Sequence, residues 1–159
     1  KMNGIRWFIG LWLAFSLPAL GAGKGDLYAQ KGAQSQADAV QISLWTVHAT
    51  NKTQGVDKGL KRIAKHLHNL NYTGFDLLGK KKAELPVQGK RRFHIVGEKT
   101  VEVTVLERGE KRARVRVQVH SPKGKLLDTT VSIRRNGFFM VAGPKYKKGV
   151  LVLPIFARY

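Results

Sequence analysis

The stretch Lys99–His120, KTVEVTVLERGEKRARVRVQVH, decides the fold that this sequence predicts. Apolar and polar residues alternate along it, and a strand places alternate side chains on opposite faces. The segment therefore predicts a β-hairpin with one solvated face and one buried face. The residues expected on the buried face are Val101, Val103, Val105, Ala113, Val115, Val117 and Val119.

The alternation also predicts the register of this hairpin. A three-residue loop at Arg108–Glu110 pairs Val105 with Ala113 and keeps one face apolar, whereas a two-residue loop would mix the faces. In this register Glu102 lies opposite Arg116, and such a cross-strand charge pair contributes about 0.2–1 kcal/mol. The solvated face carries a row of arginines, of which only the last gains this partner. We name it the arginine row: Arg112, Arg114 and Arg116.

The chain of 159 residues has 29 Lys and Arg against 10 Asp and Glu, a formal charge of +19, and no cysteine. This length suits one domain with a core of its own. The absence of cysteine excludes a disulfide framework, a zinc site built on thiolates and a thiol nucleophile. The excess of positive charge favours an anionic partner, such as nucleic acid, anionic lipid or acidic polysaccharide.

The beginning of the chain is expected to lie outside the folded domain. Residues 1–22 predict a signal peptide, because basic residues precede the apolar run Trp7–Leu17 and small residues follow it. The run is shorter than the roughly 20 residues that span a bilayer, and an uncleaved N-terminal anchor is the alternative. Residues 23–39, rich in Gly, Ala, Gln and Ser, predict a flexible linker. Residues 40–159 are the predicted domain of an exported chain.

The domain is predicted to be α+β, with one strand and one amphipathic helix followed by a mainly antiparallel β-meander. Val40–Thr50 is apolar on both faces and predicts a central strand. Asp57–Leu70 predicts the helix, with Asp57 as its N-cap and an apolar stripe at helical spacing. Lys80–Lys82 is interpreted as a charged turn. Asn136-Gly137 predicts a two-residue turn that joins its flanking strands in a second hairpin.

Basic residues near aromatic ones supply the candidate binding residues. The predicted residues that bind an anion or a partner lie on the hairpin, on the strand before it and in the loop Gly143–Gly149. They are Arg112, Arg114, Arg116, Arg91, Arg92, Lys145, Lys147 and Lys148. Aromatic side chains among basic strands are typical of proteins that bind single-stranded nucleic acid. The candidates for stacking on bases are Phe93, Phe138 and Tyr146.

No metal site, cofactor site or catalytic residue is predicted. The five histidines lack the spacing of a chelating set, and no glycine-rich phosphate loop is present. The serines lack a nucleophile elbow. Asp76 and Asp128 are the acidic residues with apolar neighbours, and they would support acid–base chemistry only if the fold brought them together. A hydrolase is therefore the weakest of three functional hypotheses.

Several short segments carry a resemblance to known proteins. They are the helix exit Leu70–Gly79, LNYTGFDLLG, with Val47–Ala49, Leu126–Val131, Val141–Pro144 and Gly149–Leu153. Together they resemble a group of small exported β-rich proteins of unknown function from myxobacteria and related Gram-negative bacteria. The resemblance covers about residues 40–157 and implies a domain of the bacterial envelope, in the periplasm or at the cell surface. It implies no activity and no site residues.

The leading hypothesis is a non-enzymatic, exported binding or structural module whose cationic sheet face holds an anionic partner. That partner is an envelope component, namely a lipid head group or a polysaccharide, or an acidic protein. The second hypothesis is an exported nucleic-acid-binding protein. The two differ in whether bases stack on aromatic side chains of the protein. No small-molecule cofactor is expected in either case.

Overall fold

The structure is a computed structural model that describes residues 39–159. The predicted signal peptide and all but the last residue of the predicted linker lie outside the described residues. The strands are β1 (Val40–Thr50), β2 (Gly55–Val56), β3 (Gly74–Leu85), β4 (Lys90–Ile95), β5 (Lys99–Arg108), β6 (Arg112–Ser121), β7 (Gly124–Arg134), β8 (Phe138–Tyr146) and β9 (Gly149–Arg158). Between β2 and β3 lies a helical segment, made of a 3₁₀ helix (Lys58–Ile63) and α1 (Ala64–Leu67).

The strands form two sheets. One has five strands in the order β2-β3-β1-β9-β8, and the other has four in the order β4-β5-β6-β7. Neighbouring strands are antiparallel except β2 and β3, which are parallel. Strand β1 lies in the middle of the five-stranded sheet and is buried on both faces, which confirms the prediction of a central strand.

The predicted α+β class is wrong. Strands account for 67% of the described residues and helices for 8%. The helix predicted over Asp57–Leu70 shortens to ten helical residues, since Asn69 and Asn71 favour turns and the N–H of Leu70 already bonds the carbonyl of Leu67. The strands after it do not continue as one meander, because β8 and β9 leave the four-stranded sheet and lie beside β1.

The helical segment keeps the features that attach it to the sheet. The carboxylate of Asp57 accepts a hydrogen bond from the N–H of Gly59 at 2.7 Å, which confirms the predicted N-cap. The predicted apolar stripe covers one end of the outer face of the five-stranded sheet. Its members Leu60, Ile63 and Leu67 are fully buried, whereas Leu70, beyond the end of the helix, is half-buried. The buried three pack with Val47, Phe75 and Val152. Within residues 39–159, no helix has the length and apolar character needed to cross a membrane.

The main core lies between the two sheets. The seven residues predicted for the buried face of the hairpin Lys99–His120 are fully buried there. They pack with residues of β1 and β9 from the other sheet, among them Ile42, Leu44, Leu153 and Ile155. The opposite faces of the two sheets are therefore the surfaces on which charged residues lie.

The hairpin keeps its apolar face, but its predicted register is wrong. Val105 lies opposite Val115 instead of Ala113, a shift of two residues. Ala113 pairs with Arg108, and a bulge at Leu106 separates the two parts of the ladder. Because strand side chains alternate with a period of two, a two-residue shift leaves every valine on its predicted face.

The second predicted hairpin is wrong, and so is its turn of Asn136 and Gly137. The N–H of Gly137 bonds the carbonyl of Arg134 at 2.8 Å, which makes Arg135 and Asn136 the central residues of the turn. Of the two residues predicted for the turn, only Asn136 has a positive φ, of 56°. Strand β8 then pairs with β9 instead of β7. The turn carries the chain from one sheet to the other. Its residues determine the local change of direction but not the strand with which β8 pairs.

Candidate anion-binding site

The arginine row lies on the outer face of the four-stranded sheet, where two of its members meet carboxylates. Arg116 donates from Nε and Nη2 to the two carboxylate oxygens of Asp128, at 2.8 and 2.7 Å. Arg114 donates to Glu107 at 2.8 Å. Both arginines thus gain partners that were not predicted. The row is largely neutralised by ion pairs within its own sheet.

The predicted pair between Glu102 and Arg116 does not form. In the observed register Glu102 lies opposite Gln118, and its carboxylate accepts a hydrogen bond from Arg92 of β4 at 2.5 Å. This bond lowers the pKa of Glu102 against the opposing effect of burial. Arg92, one of the predicted binding residues, therefore serves first as the counter-ion of a buried carboxylate.

The remaining predicted cations are exposed but dispersed over the surface. Arg91 is on β4, and Arg112 is at the start of β6, opposite Arg134 of β7. The three predicted lysines surround the turn between β8 and β9: Lys145, Lys147 and Lys148. The predicted binding residues therefore occupy three places and do not form one continuous site.

The predicted stacking residues make their main contacts within the chain. Phe93 is 5% exposed and packs in the core between the sheets. Phe138 is half-buried, with its ring centroid 5.2 Å from that of Phe156. Tyr146 is half-buried beneath Lys147, whose Nζ lies 5.4 Å from the ring centroid. These three rings do not form a common platform for bases.

The two carboxylates considered for acid–base chemistry lie on different sheets. Asp76 is on β3, where its Oδ2 is 3.9 Å from Nδ1 of His48. Asp128 is on β7 and is bound by Arg116. Each carboxylate has a partner of its own. Among the residues that the structure describes, no three His, Cys, Asp or Glu side chains come together as metal ligands.

A cleft that was not predicted lies on the outer face of the five-stranded sheet, beyond the end covered by the helical segment. We name it the cationic cleft. Its volume is about 160 Å³. Trp45 of β1 and Phe156 of β9 form its floor, beside the polar side chains of Gln41 and Ser43. Its walls carry four cations, which are Arg62, Lys80, Lys82 and Arg158.

The aromatic floor supports two of these cations. Nζ of Lys80 lies 3.9 Å from the ring centroid of Trp45 and donates to the carbonyl of Gly59 at 3.3 Å. Cζ of Arg62 lies 5.1 Å from the ring centroid of Phe156. The two rings contact each other with a centroid separation of 4.6 Å and are less than a tenth exposed. A ligand entering the cleft would therefore meet the cations before the rings.

The charge of the cationic cleft is not neutralised locally. No carboxylate lines it, and within residues 39–159 no ion pair joins its four cations to a carboxylate. Glu84 follows Lys82 on the same side of β3 but lies outside the lining. The indole N–H of Trp45 is already bonded to Ser43 at 3.2 Å. The free donors in the cleft are therefore mostly those of the cations, and this arrangement suits a compact anionic group.

The cleft was missed because its residues are distant in sequence. Lys80–Lys82 was interpreted as a turn, but β3 continues to Leu85, so Lys80 and Lys82 lie on the same face of a strand. The alternation of Lys80 and Lys82 was the one local signal that could have indicated this. Arg158 comes from β9 and Arg62 from the helical segment. Only the pairing of β1 with both β3 and β9 brings them together.

Comparison of this chain with protein-family models, with curated proteins and with solved structures finds no match. The resemblance to small exported proteins of Gram-negative bacteria therefore stays a prediction. The candidate site rests on the geometry of this chain alone.

Proposed function

We propose that this chain is a non-enzymatic binding module for an anionic component of the bacterial envelope. It acts after export, in the periplasm or at the surface of a Gram-negative cell. The observation that carries the proposal is the cationic cleft, in which four cations without carboxylate partners surround a buried aromatic floor. The bound group is a phosphate or carboxylate of a lipid head group or polysaccharide, and an acidic side chain of a partner protein offers the same chemistry.

The side chains of the cleft suit this role. Arg62 and Arg158 each carry five N–H donors in a planar arrangement that matches the two oxygens of a carboxylate or phosphate. Lys80 has three N–H donors, and the carbonyl of Gly59 uses only one of them. An anion at this place would accept hydrogen bonds from several directions. Charge-assisted hydrogen bonds of this kind are about twice as strong as neutral ones.

The shape of the cleft adds to its charge. Anions are attracted more strongly where cations of one sign line a concave surface over apolar groups, because the field is focused and less screened there. Trp45 and Phe156 supply these apolar groups. The outer face of the four-stranded sheet lacks this combination, since Arg114 and Arg116 are held by carboxylates. The proposed anion-binding face therefore moves from the arginine row to the outer face of the five-stranded sheet.

Nucleic-acid binding is the second candidate, and the net charge of +19 favours it. The positions of the side chains expected to stack on bases argue against nucleic-acid binding. Phe93 is in the core, while Phe138 and Tyr146 are half-buried against other residues of the chain. Base stacking contributes about 1–3 kcal/mol per base in proteins that bind single strands. Without it, the expected binding to DNA is electrostatic and independent of sequence.

Binding to defined anionic surfaces tests the proposal. The full chain is titrated with vesicles that contain phosphatidylglycerol, with alginate and with single-stranded DNA, each between about 50 and 200 mM salt. The variant Lys80→Gln/Arg158→Gln removes two charges from the cleft. The control variant Arg112→Gln/Arg114→Gln removes the same charge from the arginine row.

We expect saturable binding to the vesicles or to alginate, weakened about tenfold or more in the cleft variant, since each lost charge-assisted bond is worth about 1.5–3 kcal/mol. The control variant should bind nearly as the wild type does. Equal weakening in both variants would mean that total charge alone drives binding, which would overturn the proposal. Binding to DNA alone would favour the second candidate instead.

A further inference from the structure

The two sheets separate along the edges of β3 and β4. In the described part of the chain, β4 pairs only with β5, and β3 beyond Phe75 pairs only with β1. The turn Pro86–Gly89 joins the two strands, yet no backbone ladder continues between them. The outer edge of β3 therefore presents backbone N–H and C=O groups that no strand neighbour uses. Such an edge is a template for pairing with another extended segment.

A continuous groove follows these edges. It consists of two adjoining cavities of about 340 and 300 Å³, both lined by Lys81 and His94. We name their union the edge groove. One cavity is basic, with Arg91 and Arg92 in its wall. The other is more apolar, and its lining includes Thr46, Leu78, Ile95 and Val96.

A β-bulge shapes the apolar end of the edge groove. Gly79 pairs with Thr46 and Leu77 with Val47, so Leu78 is the extra residue of β3. Bulges redirect a side chain and interrupt pairing, and they recur beside functional sites. The side chain of Leu78 is accordingly 39% exposed. The bulge therefore presents an apolar contact in the groove.

The charge of the edge groove indicates the chemistry of its occupant. No carboxylate lines either cavity. Arg92 is engaged with Glu102, but Lys81 and Arg91 form no ion pair with any described residue. A second copy of this chain would bring the same cations against each other, and like charges repel. The complementary occupant is an acidic segment of a different protein.

We propose that the edge groove receives an extended acidic peptide segment of a partner protein, which adds a strand along the outer edge of β3. In this mode of recognition, main-chain hydrogen bonds supply affinity and alternate side chains supply specificity. Acidic side chains of the segment meet Lys81 and Arg91, and an apolar side chain packs against Leu78. This inference concerns a second surface and stands apart from the anion bound in the cationic cleft.

The probe is a fluorescent peptide of alternating Glu and Val, about ten residues long because a strand rises about 3.3 Å per residue. Its binding to the full chain is followed by fluorescence anisotropy. A second peptide of the same sequence carries N-methyl groups on alternate backbone nitrogens of one edge, and a third carries them on the other edge. These two peptides keep the charge but each loses the hydrogen bonds of one edge.

Two variants of the chain accompany these peptides. Lys81→Glu/Arg91→Glu reverses two charges of the edge groove. Arg112→Glu/Lys123→Glu reverses two exposed charges outside the groove, one on β6 and one in the turn between β6 and β7. We expect the unmodified peptide to bind saturably to the wild type. Binding should be about tenfold weaker or more in Lys81→Glu/Arg91→Glu, since charge-assisted bonds are worth about 1.5–3 kcal/mol. Only one of the two N-methylated peptides should bind the wild type as weakly, because only one edge of the peptide pairs with β3. The variant Lys80→Gln/Arg158→Gln should bind the peptide normally, which separates this result from the fate of the cationic cleft.

Amide hydrogen exchange gives an independent readout. On binding, the amides of β3 between Leu78 and Ala83 that face the groove should exchange more slowly than in the free chain. Equal binding of all three peptides would overturn the proposal, because it would show attraction without strand pairing. Equal weakening in both charge-reversal variants would overturn it as well. In that case the cations at these edges only prevent edge-to-edge association.

Discussion

Lys80 and Trp45 are cross-strand neighbours, and Nζ of Lys80 lies 3.9 Å from the centroid of the indole ring. This contact is a cation–π interaction, worth about 0.5–1 kcal/mol at an exposed site and more where water is excluded. It holds the ammonium group over the floor of the cationic cleft. The pairing register of β1 and β3 thus places a charge that a flexible lysine would otherwise spread over a wide volume.

This contact makes Trp45 a reporter of occupancy. When Trp7 and Trp12 are replaced by Phe, Trp45 is the only tryptophan of the chain. An anion in the cleft should draw Lys80 away from the ring and change the fluorescence of Trp45, with the midpoint measured in the binding titration. Lys80→Gln should remove most of this change. Lys65→Gln, on the exposed side of the helical segment, is the control and should leave it intact.

The charged network around Asp128 predicts a specific response to acid. The carboxylate of Asp128 accepts hydrogen bonds from Arg116, Lys125 and Gln118, at 2.7 to 2.8 Å. The bond from Arg116 contributes most to holding the pKa of Asp128 well below its usual value. A lowered pKa stabilises the folded state above the unfolded pKa of about 3.9, and this stabilisation is lost as pH falls below that value.

The free energy of unfolding of the wild type should therefore fall more steeply between about pH 4 and pH 2 than that of Asp128→Asn. Urea denaturation at several pH values measures the difference. Arg116→Gln should flatten the same interval, because it removes the main cause of the lowered pKa. Parallel pH profiles for the wild type and both variants would show that the network does not form in solution.

Replacing either of two glycines of the five-stranded sheet by alanine should change the free energy of unfolding, but in different directions. A methyl group at Gly149 would collide with the carbonyl oxygen of Ala49 and lie 2.9 Å from Nε2 of His48. Gly149→Ala should therefore lower the free energy of unfolding by about 1–3 kcal/mol or more. A methyl group at Gly79 would meet no atom within 4 Å. Gly79→Ala should be neutral, or stabilise by up to about 1 kcal/mol. Thermal denaturation measures both variants, and an equal decrease in stability for the two would contradict this packing.

We expect the apolar stripe of the helical segment to contribute strongly to the stability of the protein, because it attaches the segment to the sheet. Ile63 is fully buried, whereas Lys61 is exposed. Ile63→Ala should cost about 2–5 kcal/mol, since it leaves a cavity against the sheet. Lys61→Ala should change stability by less than about 0.5 kcal/mol. Chemical denaturation measures both variants, and a small loss for Ile63→Ala would indicate that the segment is only loosely attached.

Local patterns predicted the parts of the fold that depend on alternation. The valines of the hairpin Lys99–His120 lie in the core because period-two patterning survives a register shift of two residues. A different pattern, apolar residues on both faces, predicted that β1 lies in the middle of a sheet. Neither pattern could show that β8 follows a turn at Asn136 into the other sheet, because a turn constrains only its own residues. The α+β class was wrong because the stripe Leu60, Ile63 and Leu67 indicates a helix but not its length.

The candidate site was less predictable than the fold. Within the arginine row, Arg116 was expected to pair with Glu102 and the other two arginines to have no carboxylate partner. Instead, Glu107 pairs with Arg114 in the observed register, and Asp128 of the neighbouring strand pairs with Arg116. Neither contact follows from a local pattern. The cationic cleft combines side chains of β1, β3, β9 and the helical segment. Such a site depends on the order of strands in the sheet, which alternation does not encode.

The pairing of β1 with β9 also has a kinetic consequence. Gln41 lies opposite Arg158, so β1 gains this neighbour only after all the strands between them in sequence have been synthesised. Contacts of such wide sequence separation close large loops and slow folding. Until β9 has been synthesised, β1, which is apolar on both faces, lacks one of its two neighbouring strands. Because Phe156 and Arg158 line the cationic cleft, a chain that stops before β9 would lack part of its floor and one of its four cations.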